Sequence, residues 1–231
     1  MDLTLVLASA SPRRRELLAR LGFPLQVVVP GVPERILPGE DPARAAERLA
    51  REKAVAVAGA VGDRLVVAAD TVVVDDGTPL GKPRTPSEAE AMLRRLRGRW
   101  HRVVTGVAVL DVAARRCYLG SVTTWVRMRA YADEELQAYV ASGEPMDKAG
   151  GYAIQDERFR PVEAVRGCYA NVVGLPLCQV VAGLRALGVD LPASAEGSCP
   201  AAPPFVRQEE AHPAPVVGTL RTRCQEDEGG A

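Results

Sequence analysis

Long hydrophobic runs are missing from this sequence: no uninterrupted apolar stretch reaches the roughly 18 residues a membrane-crossing helix needs. No basic segment precedes the apolar stretch at the N-terminus either, so a soluble, unexported, cytoplasmic protein with no membrane partner is expected. Histidine is nearly absent. His101 and His212 are the only two, and neither lies near a candidate nucleophile, which argues against Ser-His-Asp or Cys-His catalysis. Cysteine offers no framework: Cys117, Cys168, Cys178, Cys199 and Cys224 are odd in number, scattered and without a C-x-x-C pair. They read as reduced thiols, not as disulfides or a zinc site. Net charge is absent as well, since 29 basic and 29 acidic residues cancel, so no general attraction to nucleic acid follows. Lysine is the scarcest charge. Of the 29 basic residues 26 are Arg, leaving Lys53, Lys82 and Lys148. Either chance left these three, or each marks a place where a compact ammonium is needed and a planar guanidinium is not.

What is present reads as alternating strands and helices. Residues 3–8 form an apolar run, Ser9-Ala10-Ser11 a tight turn, and residues 12–21 a helix with Ser11 as N-cap, Pro12 in its first turn and Gly22 past its end. A strand over residues 25–29 leads through Pro30-Gly31-Val32-Pro33 to a helix that begins after Asp41 and continues to about residue 58. Residues 65–74 predict a strand that Asp75-Asp76-Gly77 turns back as a hairpin. Thr85-Pro86-Ser87-Glu88 has the capping-box pattern of a helix ended by Gly98. Strands over 102–110 and 117–127, a helix capped by Asp133 and ending at Gly143, and a last helix from Pro176 to Gly188 complete the order. Only a mixed α/β class fits it. Residues 1–192 are expected to form the folded domain. Residues 193–231 turn to Pro, Ala, Gly, Ser and charge with little periodicity, and read as a disordered or loosely attached tail.

Several residues carry chemistry. Arg13, Arg14 and Arg15 crowd the first turn of a helix, where the dipole and unpaired N–H groups are already positive. They either turn to solvent or, with the hydroxyls of Ser9 and Ser11, await an anion such as phosphate. Lys53 shares a helix face with Leu49 and Val57, so its head either snorkels outward or reaches an anion in a cleft. Asp70 is the strongest pointer. Nearly every neighbour from residue 65 to 74 is apolar, and a lone carboxylate there would cost several kcal/mol, so it must meet a metal, a cation or backbone donors. Gly81-Lys82-Pro83 presents a second ammonium after that hairpin, and Asp147-Lys148-Ala149-Gly150-Gly151-Tyr152-Ala153-Ile154-Gln155 sets the third beside a diglycine that permits close backbone approach. Neither G-x-x-x-x-G-K-[ST] nor G-x-G-x-x-G occurs, which excludes P-loop and Rossmann phosphate sites.

Together these blocks resemble the Maf family of nucleotide pyrophosphatases, named for an association with septum formation. The resemblance rests on Ser9-Ala10-Ser11-Pro12-Arg13-Arg14, Arg51-Glu52-Lys53-Ala54, Ala69-Asp70-Thr71-Val72, Gly81-Lys82-Pro83, the Asp147–Tyr152 block and Val172-Val173-Gly174-Leu175-Pro176-Leu177, and all three lysines fall within it. It implies a two-lobed, inosine-triphosphatase-like α/β fold with a mixed sheet and a central cleft, often dimeric. The implied reaction is hydrolysis of a nucleoside triphosphate to monophosphate and pyrophosphate with a divalent cation, Mg²⁺ or Mn²⁺. By position, Asp70 would be the proton acceptor, and Asp70 and Glu34 would hold the metal. Ser9, Ser11, Arg14, Lys53, Lys82 and Lys148 would contact phosphates. Arg13, Thr71 and Gln155 resemble the branch that prefers dTTP and UTP. The alternatives are the branch acting on 7-methyl-GTP, which tends to carry an aromatic in place of the first arginine, and a nucleotide-sensing regulator of septum formation that uses the same cleft without essential catalysis. Pro33 stands where an acidic residue often precedes Glu34, and Ala153 where glycine is frequent.

Overall fold

Short polar caps cut the apolar segments into elements. In the computed structural model, which describes residues 3–195, 197–209 and 217–221, strand β1 (Leu5–Ala8) is wholly buried and stops at Ser9. The Ser11 hydroxyl then accepts from the Arg14 N–H at 3.4 Å to start α1 (Pro12–Ala19). After β2 (Leu25–Val28), the Asp41 carboxylate accepts from the N–H groups of Ala43 and Arg44 at 3.0 and 3.1 Å. This opens α2 (Pro42–Val61), which runs past the expected end near residue 58 because Val57 and Val61 both reach the core. Then follow β3 (Leu65–Asp75), β4 (Thr78–Leu80), α3 (Pro86–Leu96), β5 (Trp100–Asp111), β6 (Arg116–Met128), α4 (Asp133–Ala141), β7 (Val162–Arg166), α5 (Tyr169–Val173), α6 (Leu177–Ala186), β8 (Arg207–Glu209) and β9 (Val217–Arg221). The cap of α4 departs from expectation. Its N-cap is Ala132, whose N–H donates to the Glu135 carboxylate at 2.9 Å, while Asp133 lies inside the first turn and pairs with Arg94 and Arg97.

The strands form one mixed sheet, ordered β2-β1-β3-β5-β6-β7-β8, with β4 added to β3 and β9 to β6. Strands β1, β2 and β3 run parallel, and β3, β5, β6 and β7 are antiparallel in turn. Two lobes share the long strands β3, β5 and β6. In one, Leu7, Val67, Ala69 and Val109 pack under α1 and α6; in the other, Val73, Val103 and Val126 pack under α3 and α4. The handover between these cores falls where Asp70 pairs with Gly106 and Thr71 with Thr105. There the edge of β3 is also bare. Pairing with β1 ends at Leu7↔Val67 and pairing with β4 begins at Val73↔Leu80, so among the described residues no strand covers Asp70 and Thr71 on that side. That gap is the central cleft.

Gly106 sets how closely α2 approaches the sheet at this level. A Cβ at Gly106 would collide with the backbone of Ala46 and Glu47. Gly106→Ala is therefore expected to destabilise the fold by about 3 kcal/mol, the upper end of ordinary overpacking, read as a Tm loss of roughly 6–12 °C in a thermal melt. An unchanged Tm would mean that α2 is free to lift.

One expectation fails in the C-terminal region. The loose tail from residue 193 does not hold for its described part: Ala195 and Val206 are buried in the two lobes, β8 pairs with β7, and β9 pairs with β6 from Ser121↔Val217 to Cys117↔Arg221. Isolated apolar residues and backbone ladders do this without any periodicity in the sequence. Residues 210–216 and 222–231 of that expected tail lie outside the described residues. Three of the thiols that are scattered along the sequence come together in space: the sulfurs of Cys168, Cys178 and Cys199 lie within 4.8 Å of one another, and all three are free. No helix among the described residues is long and apolar enough to cross a membrane.

Candidate active site

Strand alternation divides the residues around the cleft between two faces. Val66, Ala68, Val72 and Val74 of β3 pack on the side of α2, and Asp70 shares their parity, whereas Thr71 points the other way. Lys53 lies on the buried face of α2 with Leu49 and Val57, as its spacing predicts, and does not snorkel. It is 4% exposed and Asp70 is 6% exposed. Its Nζ donates to Asp70 Oδ1 and to Glu34 Oε1, each at 2.5 Å, and Lys82 Nζ donates to Glu34 Oε2 at 2.7 Å. Four charges thus alternate in sign from Asp70 through Lys53 and Glu34 to Lys82. Burial pushes the Glu34 carboxyl up, but attraction and hydrogen bonding from Lys53 and Lys82 outweigh it and hold the group at about 2. The loop carrying Glu34 is tied to α2 by Arg48, which donates to the Arg35 carbonyl at 2.9 Å and to the Glu40 carboxylate at 2.7 and 2.8 Å.

The arginine turn divides its duties. Arg15 is exposed, and Arg13 approaches the Asp147 carboxylate at 4.0 Å. Arg14 is fixed internally: its Nε donates to the Gly174 carbonyl at 2.8 Å and its Nη2 to Thr71 Oγ1 at 3.1 Å. Burial lowers the Arg14 pKa while Asp70 and Glu34 oppose that effect. Gly174 adopts φ 120°, and a Cβ there would sit 3.4 Å from both Arg14 Nε and Thr71 Oγ1. Behind Thr71, a hydrogen bond of 3.0 Å links it to Thr105, whose hydroxyl donates to the Asn171 carbonyl at 2.9 Å. The Ser9 hydroxyl accepts from the Ser11 N–H at 3.1 Å.

Lys148 departs from a simple phosphate ligand. Its Nζ donates to the Glu144 carbonyl at 2.5 Å and to Asp147 Oδ1 at 2.6 Å, within its own loop. The diglycine beside it closes that loop onto the opposite one. Gly150, at φ 70°, donates its N–H to the Gly81 carbonyl at 3.0 Å, and its missing Cβ would meet Val73 at 3.0 Å.

The residues singled out from the sequence meet here, except Arg15, which faces away. Ser11, Arg13, Arg14, Glu34, Asp70 and Thr71 line one cleft with Lys82, Lys148 and Gln155, and an adjoining cleft that shares several of them adds Ser9 and Lys53. The polar end of the cleft gives way to Val73, Tyr152, Ile154 and Val173. Asp70 and Glu34 already converge on one cation, the Lys53 ammonium, and carboxylate oxygens are the donors that Mg²⁺ and Mn²⁺ take, so the donor set fits a hard divalent ion.

Sequence reasoning missed three features. Asp147 lines both clefts, and its place beside Lys148 was the available signal. Thr105 and Asn171 are fully buried supports, with Asn171 Nδ2 donating to the Val103 carbonyl at 3.0 Å and to Thr124 Oγ1 at 2.9 Å. His101, 1% exposed, shares a 2.7 Å hydrogen bond with the hydroxyl of the cleft residue Tyr152. Burial drives its pKa down to about 4, against a smaller upward pull from Asp75. A histidine held below its unfolded value binds fewer protons folded than unfolded, so its contribution is complete above pH about 6.5 and drains away toward pH 4, by about 3 kcal/mol in all. Urea unfolding across that window should show the loss in the wild type and a shallower one in His101→Gln; identical pH profiles would rule it out.

The family model described as Maf-like protein matches residues 4–187. The chain belongs to the Maf family. Among Maf relatives, the dTTP/UTP pyrophosphatase of Thermomicrobium roseum is 51% identical over 223 residues, covering 96% of this chain and 100% of the relative. That of Geobacter sulfurreducens is 51% identical over 184 residues, covering 80% of this chain and 96% of the relative. That of Pelotomaculum thermopropionicum is 46% identical over 187 residues, covering 81% and 98%. A HAM1 protein from Coxiella burnetii superposes on the Maf chain with a TM-score of 0.40 at 17% identity, over 68% of this chain and 92% of that one.

Proposed function

We propose that the chain hydrolyses dTTP and UTP to the nucleoside monophosphate and pyrophosphate. The observation that carries this reading is the charge run Asp70–Lys53–Glu34–Lys82, buried at Asp70 and Lys53 and open to solvent at Glu34 and Lys82, at the bare edge of β3 beside a cleft whose far end is apolar. Relatives matched along nearly their whole length bear that activity in their names.

In this reading the triphosphate lies along the polar end, where Lys53 and Lys82 with Ser9, Ser11 and the arginine turn face its oxygens. Asp70 takes the proton of a water that attacks the α-phosphorus; the bond to the bridging oxygen breaks and pyrophosphate leaves with its electron pair. Asp70 and Glu34 would hold Mg²⁺ or Mn²⁺, which when bound supplies charge neutralisation on the triphosphate. Arg14 positions Thr71 by donating to its hydroxyl, and the Gln155 amide, with one donor side and one acceptor side, suits the edge of a pyrimidine. Lys148 reaches phosphate by releasing one of its loop partners, so the bound nucleotide competes with the carboxylates of Glu144 and Asp147.

A substrate panel tests the reading. With Mg²⁺ or Mn²⁺, pyrophosphate release from dTTP and UTP should exceed that from 7-methyl-GTP; preference for the purine would assign the other branch, and no release from any of the three would refute the enzyme.

A further inference from the structure

The three clustered thiols lie outside the cleft, and nothing in the proposed hydrolysis uses them. We propose that Cys168, Cys178 and Cys199 form a thiolate site for a soft metal ion of the zinc class, which clamps the C-terminal segment to the helices behind the cleft.

The geometry has the right scale. Zinc–sulfur bonds of about 2.3 Å in a tetrahedral shell put sulfurs roughly 3.8 Å apart, and these three lie within 4.8 Å of one another. The ligands come from three separate pieces of backbone: Cys168 is the N-cap of α5, Cys178 is in the first turn of α6, and Cys199 follows the turn Ala193–Ala195. Their spacing is nothing like a C-x-x-C pair, which is why the sequence hid them.

The surroundings favour a preformed site. Cys168 is pinned through Thr124, whose Oγ1 accepts from the Cys168 N–H at 3.1 Å and donates to its carbonyl at 3.2 Å. Gly167, at φ 123°, keeps this turn tight, since a Cβ would fall 3.0 Å from Thr124 Oγ1. Cys168 and Cys178 are half-buried and Cys199 is exposed, so an ion has a way in.

Metal suits three sulfurs around one point better than a disulfide does, since a disulfide joins two and leaves the third free for exchange beside it. The sulfur donors also separate this site from the cleft, where the donors are carboxylate oxygens. Binding would release thiol protons and leave the fourth position to a group other than these three. It would also brace the stretch between α5 and α6, which includes Gly174, the residue holding Arg14.

The test is metal loading of the full chain, purified under reducing conditions, equilibrated with Zn²⁺ and gel-filtered. Elemental analysis should find zinc retained by the wild type and lost in the Cys178→Ser/Cys199→Ser variant. Co²⁺ in place of Zn²⁺ should give the wild type a sulfur-to-metal charge-transfer band that oxygen ligands do not produce, a readout that needs no variant to fold. Saturating Zn²⁺ should raise the wild-type Tm by roughly 5 °C more than the variant's, which keeps the carboxylates of the cleft. Absence of the cobalt band, equal zinc in both proteins, or a disulfide between two of these thiols in the reduced preparation would each overturn the proposal.

Discussion

Asp70→Asn should abolish most turnover while leaving the fold standing: kcat for pyrophosphate release from dTTP falls by roughly 10²–10⁴-fold, the range lost with a positioned general base. The change is nearly isosteric and keeps an oxygen for Lys53 Nζ to donate to, but the amide cannot take a proton from water. KM should move less than kcat, because Lys82, the arginine turn and the apolar end of the cleft still hold the nucleotide. Steady-state kinetics on dTTP and UTP, with a thermal melt as fold control, measure both. Activity within about tenfold of wild type would remove Asp70 from the chemistry.

Lys53→Met should act first on stability. Methionine matches the length of the lysine stem but leaves Asp70 and Glu34 facing each other without the cation between them. Removing one partner of a buried ion pair costs about 3–5 kcal/mol. The Asp70–Lys53 pair earns that figure and the half-exposed Glu34 adds little, so a Tm loss of roughly 10 °C is expected. Without Lys53 the Glu34 carboxyl should rise from about 2. In the wild type its depressed value stabilises the fold above the ordinary carboxylate range, and that contribution is lost as pH falls toward 2; the variant should keep only the part that Lys82 supplies. Mg²⁺ or Mn²⁺ should recover part of the lost Tm by taking the place between the two carboxylates, more than it stabilises the wild type. An unchanged Tm would mean that the lysine adds nothing to the fold.

These residues were legible to different degrees, for physical reasons. Asp70 stood out because its strand is otherwise apolar, and Lys53 because its helical spacing put it on a buried face. Glu34 lies in a loop with no periodicity, so only the family resemblance marked it. The β1–α1 unit was readable because serine and proline write its cap locally. By contrast β7, α5, β8 and β9 are short, and their stability comes from neighbours distant in the chain. The same holds for Arg14, whose carbonyl partner at Gly174 lies 160 residues away, and for the three thiols.

The long strands bear on how the cleft can move. Because β3 and β5 stay paired without a break from Leu65↔Asp111 to Val74↔Arg102, passing through both lobes, no flexible hinge separates the two halves. Widening the cleft means flexing a stiff hydrogen-bonded plate, so its width is a built-in dimension. Adjustment to a nucleotide falls on side chains and loops at the rim, chiefly the loop of Asp147, since Arg48 ties the loop of Glu34 to α2, while the floor beneath stays rigid.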